Sequence, residues 1–250
     1  MIHICIPCRD EERTIGVLLW KIREVMLELG RDFRVLVLDD GSGDGTGAQL
    51  AKYERVLPLA VLSERSPIGY GRALDKLLRA AAAGTRYPKR DAIVTMQADF
   101  TEHPGHLRAL IRTFEGGADI VACEAGPETG KPPFAVRFAR RLGVQALWRP
   151  APGGPAVDPM VAFRAYRAVV VKRALRAAGD GPLVTADGWA ANADLMRVLA
   201  PLARRVAWMP LGLRYDIRRR RTRLRVLAAV REILRVRSIP RLDPKGHAAG

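Results

Sequence analysis

Short, largely apolar runs alternating with helix-period segments constrain the first half of this chain more than any other feature. Ile2–Ile6, Val35–Leu38, Leu59–Leu62, Ala92–Met96 and Ile120–Cys123 are each strand-sized and apolar but for His3 and Thr95. Such runs fit strands buried on both faces. Between them, Thr14–Leu29 carries Ile15, Leu18, Leu19, Ile22, Val25, Met26 and Leu29 at helical spacing, and Gly30 follows as a C-cap. Thr46–Glu54, Tyr70–Ala83 and Leu107–Phe114 also read as helices. The alternation predicts an α/β fold, a mostly parallel sheet flanked by helices on both faces. Ligands of such sheets bind beyond the carboxyl ends of the strands. Asp10-Glu11, Asp39-Asp40 and Asp99 all fall there.

The octet Asp39-Asp40-Gly41-Ser42-Gly43-Asp44-Gly45-Thr46 is the most informative of these strand ends. A plain β-to-α loop needs one N-cap residue, Asp44 or Thr46. Three aspartates among three glycines exceed that need. Glycines let the backbone approach a ligand, and carboxylates accept from ribose hydroxyls or base N–H groups, so the octet predicts a nucleoside site.

Charge divides the chain. Residues 1–130 hold 17 basic and 19 acidic side chains; residues 131–250 hold 25 and 7, so the whole +16 excess lies in the second half. Only seven of the 42 basic residues are Lys. Arg offers a planar donor fork suited to phosphate, so an anionic partner is expected: nucleic acid, membrane surface or phosphorylated substrate. With 48% hydrophobic and 27% charged residues, the composition excludes a disordered chain. No run reaches the ~18 apolar residues of a membrane span, and the N-terminus lacks the pattern of a signal peptide. A cytoplasmic protein is expected, with reduced thiols at Cys5, Cys8 and Cys123 and Cys5 in the core. Turn residues crowd 125–160, from Gly126-Pro127 to Gly153-Gly154-Pro155. Beyond them Val161–Tyr166 reads as a strand, and Val169–Ala178 and Gly188–Leu199 as helices.

Four segments together resemble family 2 glycosyltransferases of the GT-A fold. Asp39–Thr46 is similar to their DDGSxDGT segment. Pro7-Cys8-Arg9-Asp10-Glu11-Glu12 resembles their P-x-x-N-E-x opening, with Asp10 where Asn is usual. Arg65–Ala73, which contains Gly69 and Gly71, is similar to R-x-x-x-G-x-G-x-A, and Gln97–Pro104 to DADxxxHP. The resemblance implies a GT-A (Rossmann-like), mostly parallel sheet flanked by helices, with a basic C-terminal helix. It implies one domain over 1–240: a nucleotide-sugar half (1–125), an acceptor half (126–215) and a basic amphipathic segment (216–240), with 241–250 as a flexible tail. By the same resemblance Pro7, Asp10, Glu11, Asp39, Asp40, Ser42, Gly69, Gln97 and Ala98 would bind the nucleotide sugar. The family holds a divalent cation, Mg²⁺ or Mn²⁺, with D-x-D. Gln97 replaces the first Asp, and a neutral amide oxygen is a weaker ligand for a hard cation. Metal binding is therefore expected mainly through Asp99, helped by Gln97, with reduced affinity; the alternatives are metal-independent diphosphate binding by basic residues and a relative that has lost activity.

The resemblance narrows in the second half to the polyprenyl-phosphate hexosyltransferases, the dolichol-phosphate mannose synthase group. Arg137–Gln145 is similar to their R-x-x-x-S-x-x-A-N helix, and Asp158–Arg167 to D-P-x-S-G-F-R-x-Y-R, with Val161-Ala162 replacing Ser-Gly. Arg218–Arg223 resembles their R-x-G-x-S-K/R. Arg137, Arg141, Arg218 and Arg223 would then hold an acceptor or donor phosphate. A phosphate acceptor is already a nucleophile, so positioning and electrostatics would suffice. Inversion of the anomeric carbon by direct displacement is implied. A hydroxyl acceptor would need a base; Asp187 is the best candidate. Asp99, Asp187 and Asp158 are thus the candidate catalytic residues. Thr222–Arg237 reads as a basic amphipathic helix, able to lie on an anionic membrane or to pack on the domain. Nucleic acid is the poorer partner, since no interleaved aromatic platform or reading motif accompanies the charge.

Overall fold

A computed structural model describes residues 1–126, 129–130, 134, 137–138, 140–142, 158, 160–216 and 226–237. Its frame is a seven-stranded sheet of β1 (Ile2–Cys8), β2 (Phe33–Asp39), β3 (Leu59–Ser63), β4 (Ala92–Thr95), β5 (Ile120–Ala125), β6 (Arg164–Arg167) and β7 (Val206–Leu211). The strand order is β3-β2-β1-β4-β6-β5-β7. β1 to β4 are mutually parallel where they pair, and β5 runs parallel to β7. Only β6 is reversed, antiparallel to both β4 and β5.

Helices cover both faces, as the largely apolar strands require. Ile4, Ile6, Val35, Val37 and Val94 meet α1 (Ile15–Leu29) and α4 (Leu107–Glu115). The alternate residues Cys5, Leu36, Leu38 and Ile93 meet α3 (Tyr70–Gly84), α5 (Ala168–Ala178) and α6 (Ala190–Leu199). This is the two-residue alternation of a strand applied to a sheet with no wet face. Each fully buried Leu or Ile contributes about 1.5–3 kcal/mol by leaving water. α2 (Thr46–Tyr53) follows the Asp39–Thr46 turn. All three cysteines are free and buried; Cys5 sits in the core as expected, and burial pushes its thiol pKa up.

Two boundaries and one strand that differ from the sequence expectation have a physical reason. β6 starts at Arg164 rather than Val161, because the amides just before it serve carboxylates: Met160 donates to Asp158, and Ala162 and Phe163 donate to Glu102. α6 starts at Ala190 rather than Gly188, whose φ is 57°. β7 carries Pro210, which hides a strand from pattern reading; an edge strand tolerates it.

β6 decides how the halves meet. Arg164 pairs with Thr95, so the segment 160–163 arrives beside the carboxyl end of β4. The C-terminal helix α7 (Val226–Arg237) packs Ile233 and Val236 against Met160, Ala186 and Ala190. Leu234 on the same helix stays exposed. No helix among the described residues is long and apolar enough to cross a membrane.

Candidate active site

The carboxyl ends of β1 and β2 form one hydrogen-bonded unit. Asp10 adopts φ 47°, a left-handed conformation uncommon outside glycine, and its Oδ1 accepts from Gly43 N–H at 2.7 Å. Its own N–H donates to Ser42 Oγ at 2.8 Å. Glu11 N–H donates to Thr46 Oγ1 at 2.8 Å, and the Glu11 carboxylate accepts from Thr14. Asp39 Oδ1 accepts from Ser42 N–H at 3.1 Å. The N-cap of α2 is Gly45, with no side-chain cap, rather than Asp44 or Thr46; Asp44 accepts from Thr46 N–H one residue earlier, within the turn that builds the wall. Pro7 lies inside β1, opposite Leu38.

Asp40 carries the wall to the next loop. Its two oxygens accept from Ile68 N–H at 2.6 Å and Gly69 N–H at 3.2 Å. Gly69 has φ 95°, and a Cβ there would lie 2.8 Å from Asp187 Oδ2. Gly71 N–H donates to Asp187 Oδ1 at 2.9 Å, and a Cβ on Gly71 would run into the Ala186 carbonyl oxygen. The R-x-x-x-G-x-G turn is thus where the first half touches the Ala186-Asp187 loop of the second. That loop is fixed from below by fully buried Asp194, which accepts from the N–H groups of Thr185 and Ala186. Burial works to raise the Asp194 pKa, but Arg197 and these N–H groups outweigh it and hold it low. Asp187 itself is exposed, and its N–H donates to Glu232 of α7.

The third strand end opens a cleft. Gln97, Asp99, Arg140, Asp158 and Tyr215 line it together. Asp99 is buried and its Oδ1 accepts from Thr101 N–H at 3.1 Å and Thr101 Oγ1 at 2.6 Å. Phe100, at φ 66°, bends the chain around it. Ala98 is buried behind the turn. Across the cleft, Arg140 donates to Asp158 through Nε and to Tyr215 Oη at 3.2 Å. Glu102 closes the back. Its carboxylate accepts from Gln97 N–H at 2.8 Å, Ala162 N–H at 2.8 Å and Phe163 N–H at 3.1 Å. Burial and then the nearby Asp99 charge push its pKa up to about 7, against the pull of those three donors.

Of the sequence-chosen residues, Gln97, Asp99 and Asp158 share this cleft, whereas Asp187 stands at the Gly69–Gly71 turn and does not line it. Arg137 and Arg141 are exposed. Arg218 and Arg223 lie outside the described residues. Sequence reasoning missed Arg140, Tyr215 and Glu102. Arg140 was hidden between two arginines that match the family spacing better, and nothing local marks Glu102 as buried. Among the described residues no group of three or more His, Cys, Asp or Glu is arranged to hold a metal. A cation carried by a diphosphate needs only one or two protein carboxylates, and Asp99 beside Gln97 fits that lesser demand.

A family model, Glycosyl transferase family 2, matches residues 3–171. An undecaprenyl-phosphate 4-deoxy-4-formamido-L-arabinose transferase of Pseudomonas aeruginosa is 29% identical over 124 residues, 48% of this chain and 34% of that protein. The enzyme of the same name from Photorhabdus laumondii is 25% identical over 178 residues, covering 70% of this chain and 51% of that protein. The chain therefore spans between a third and about half of the length of these curated relatives. Among solved structures, glucosyl-3-phosphoglycerate synthase from Mycobacterium tuberculosis with Mn²⁺ and UDP-glucose superposes with a TM-score of 0.65 at 22% identity, covering 96% of this chain and 80% of that one. TarS residues 1–349 from S. aureus with UDP gives 0.54 at 15% identity, covering 83% and 57%. At these identities the structures support the fold alone. The family model spans more than half of the chain and includes all three acidic strand ends, and the protein belongs to glycosyl transferase family 2.

Proposed function

We propose that this protein transfers a sugar from a nucleotide diphosphate sugar to a polyprenyl phosphate. The observation that carries this reading is the cleft in which Asp99 and Gln97 face Arg140, Asp158 and Tyr215. It joins a donor strand end to the segment resembling the polyprenyl-phosphate enzymes. The curated relatives, whose names include undecaprenyl phosphate, support the acceptor. Asp10, Glu11, Asp39 and Ser42 form the wall suited to a nucleoside, and Asp40 shapes it by holding Ile68 and Gly69. Asp99, with Gln97, would hold a divalent cation on the diphosphate. Such a cation neutralises charge that develops on the leaving diphosphate. The exposed Arg137 and Arg141 would attract the acceptor phosphate, with Arg218 and Arg223 in the same role. One domain over 1–240 acting at the cytoplasmic membrane face, against an anionic surface, fits this acceptor.

Asp158, held by Arg140, would fix the cleft wall rather than take a proton. Asp187 would hold the glycine turn. Both roles suit an acceptor that needs no base.

Incubation with a panel of nucleotide sugars, Mg²⁺ or Mn²⁺ and a short polyprenyl phosphate, read by mass, tests the reading. A sugar-phosphate-lipid product from one donor is expected. No lipid product from any donor, or nucleotide release by water alone, overturns it. If a hydroxyl acceptor were used instead, Asp187→Asn would abolish turnover while the phosphate acceptor remained inert.

A further inference from the structure

The opposite edge of the sheet carries a second concavity that the proposed transfer does not use. Arg86, Lys89, Arg90, Lys172 and Arg176 line it, with the Tyr87 ring and the apolar Pro88 and Val169 between them. A neighbouring hollow shares Lys172 and Arg176 and adds Arg79. β4 runs from Ala92 at this edge toward Gln97 and Asp99 at the other, so the two sites lie at opposite ends of the same strand.

Its walls are built and fixed. Val169 N–H donates to Pro88 O at 2.8 Å, and Ala168 N–H to Asp91 O at 3.0 Å, joining the start of α5 to the α3–β4 connection. Buried Asp91 accepts from Tyr87 N–H at 2.8 Å and from the amino terminus. Arg167 pins the Lys89 carbonyl. Among the described residues the cations, by contrast, have no carboxylate partner. No Asp or Glu lines the concavity, and among the described residues none of the five cations is in an ion pair. Neighbouring Arg79 and Arg167 do have carboxylates, Asp75 and Asp119. Arg86 lies over the Tyr87 ring, 5.3 Å from its centroid, and that ring is 54% exposed.

We infer that this concavity is a second, non-catalytic site for a soluble phosphorylated small molecule, with the cations on its phosphates and the Tyr87 face under its apolar part. Five like charges around one hollow repel each other until an anion fills it. A tyrosine face with an arginine beside it accepts a planar or apolar group. The choice of a soluble ligand over a lipid headgroup rests on the proposed acceptor: a cleft that meets a membrane-borne phosphate turns the opposite edge away from that membrane.

Inorganic pyrophosphate in EDTA, titrated by calorimetry into the whole chain, tests this. Binding is expected in the wild type and in Asp99→Ala, which separates the site from the donor cleft. The double variant Lys172→Glu/Arg176→Glu, of a half-buried and an exposed residue on α5, is expected to weaken binding at least tenfold. Lys89→Gln/Arg90→Gln on the facing loop provides an independent loss should the first variant misfold. Equal binding in wild type and both double variants, loss of binding in Asp99→Ala, or no pyrophosphate binding at all overturns the inference. So does sedimentation with phosphatidylglycerol vesicles that depends on these cations and is not competed by pyrophosphate. None of these outcomes touches lipid transfer at the other edge.

Discussion

The carboxylates at the donor strand ends and those of the second half's Arg-paired acids are held in different ways. At the strand ends of the first half they rest chiefly on backbone donors: Asp10 on Gly43, with Arg9 3.8 Å away, Asp39 on Ser42, Asp40 on Ile68 and Gly69, Asp99 on Thr101. In the second half three of them rest on an arginine as well: Asp158 on Arg140 beside Met160 N–H, Asp194 on Arg197 beside Thr185 and Ala186 N–H, and Asp216 on Arg214. A backbone N–H orients a carboxylate and leaves its charge in place, whereas a guanidinium cancels it. The donor wall therefore keeps its negative field although its net charge is near zero. The second half spends some arginines on its own few acids and presents the rest. Net charge alone would have assigned no field to the first half.

Breaking the donor side should cost most. Asp99→Ala is expected to lower kcat/KM on the order of 10³-fold, comparable to removing a main electrostatic group from an active site, and to abolish any dependence on Mn²⁺. Steady-state kinetics with and without chelator decide this; an unchanged metal dependence would show that the strand end holds no cation. Gln97→Asp should tighten the apparent metal constant.

Next comes the arginine-held side. Arg140→Ala strands Asp158, which is only 4% exposed, and should destabilise the fold by about 3–5 kcal/mol. Chemical denaturation measures it, and a cost below ~1 kcal/mol would mean that Asp158 finds water or another donor. At the seam, Gly71→Ala should cost about 1–3 kcal/mol by overpacking against the Ala186 carbonyl, seen as a lowered Tm. Arg137→Ala/Arg141→Ala should leave stability within ~0.5 kcal/mol, since both are exposed, while raising KM for a polyprenyl phosphate about tenfold.

The smallest effect is a pH slope. The folded state raises the Glu102 pKa to about 7, chiefly through burial, from an ordinary value of 4.5. An acid whose proton is held more tightly in the fold contributes fully below pH 4.5 and loses that contribution as pH rises through 7. Tm should therefore fall between pH 5 and 7.5 with a component that Glu102→Gln lacks. Parallel Tm–pH curves for the two proteins would remove Glu102 as its source.

Much of the first half was legible because its signals are local. Val35–Leu38 followed by Asp39-Asp40-Gly41 states a buried strand, its end and its turn within seven residues. Gly30 ends α1 at φ 64° by the same local chemistry. β7 was illegible because Pro210 breaks the strand pattern and only its edge position excuses it. Arg140 was illegible because helical arginines look alike until a buried partner is found; Asp158 lies 18 residues away.

By itself the sequence determined the alternating architecture, the three acidic strand ends and the family, since apolar periodicity and glycine-rich turns act over a few residues. Tertiary structure alone decided which acids and arginines meet. Reversed β6 brings Met160–Phe163 beside the end of β4, and buried Glu102 ties the two by three backbone N–H groups. Hydrogen bonds spanning 60 residues leave no trace in local spacing, because they depend on strand order, which only the packed sheet fixes.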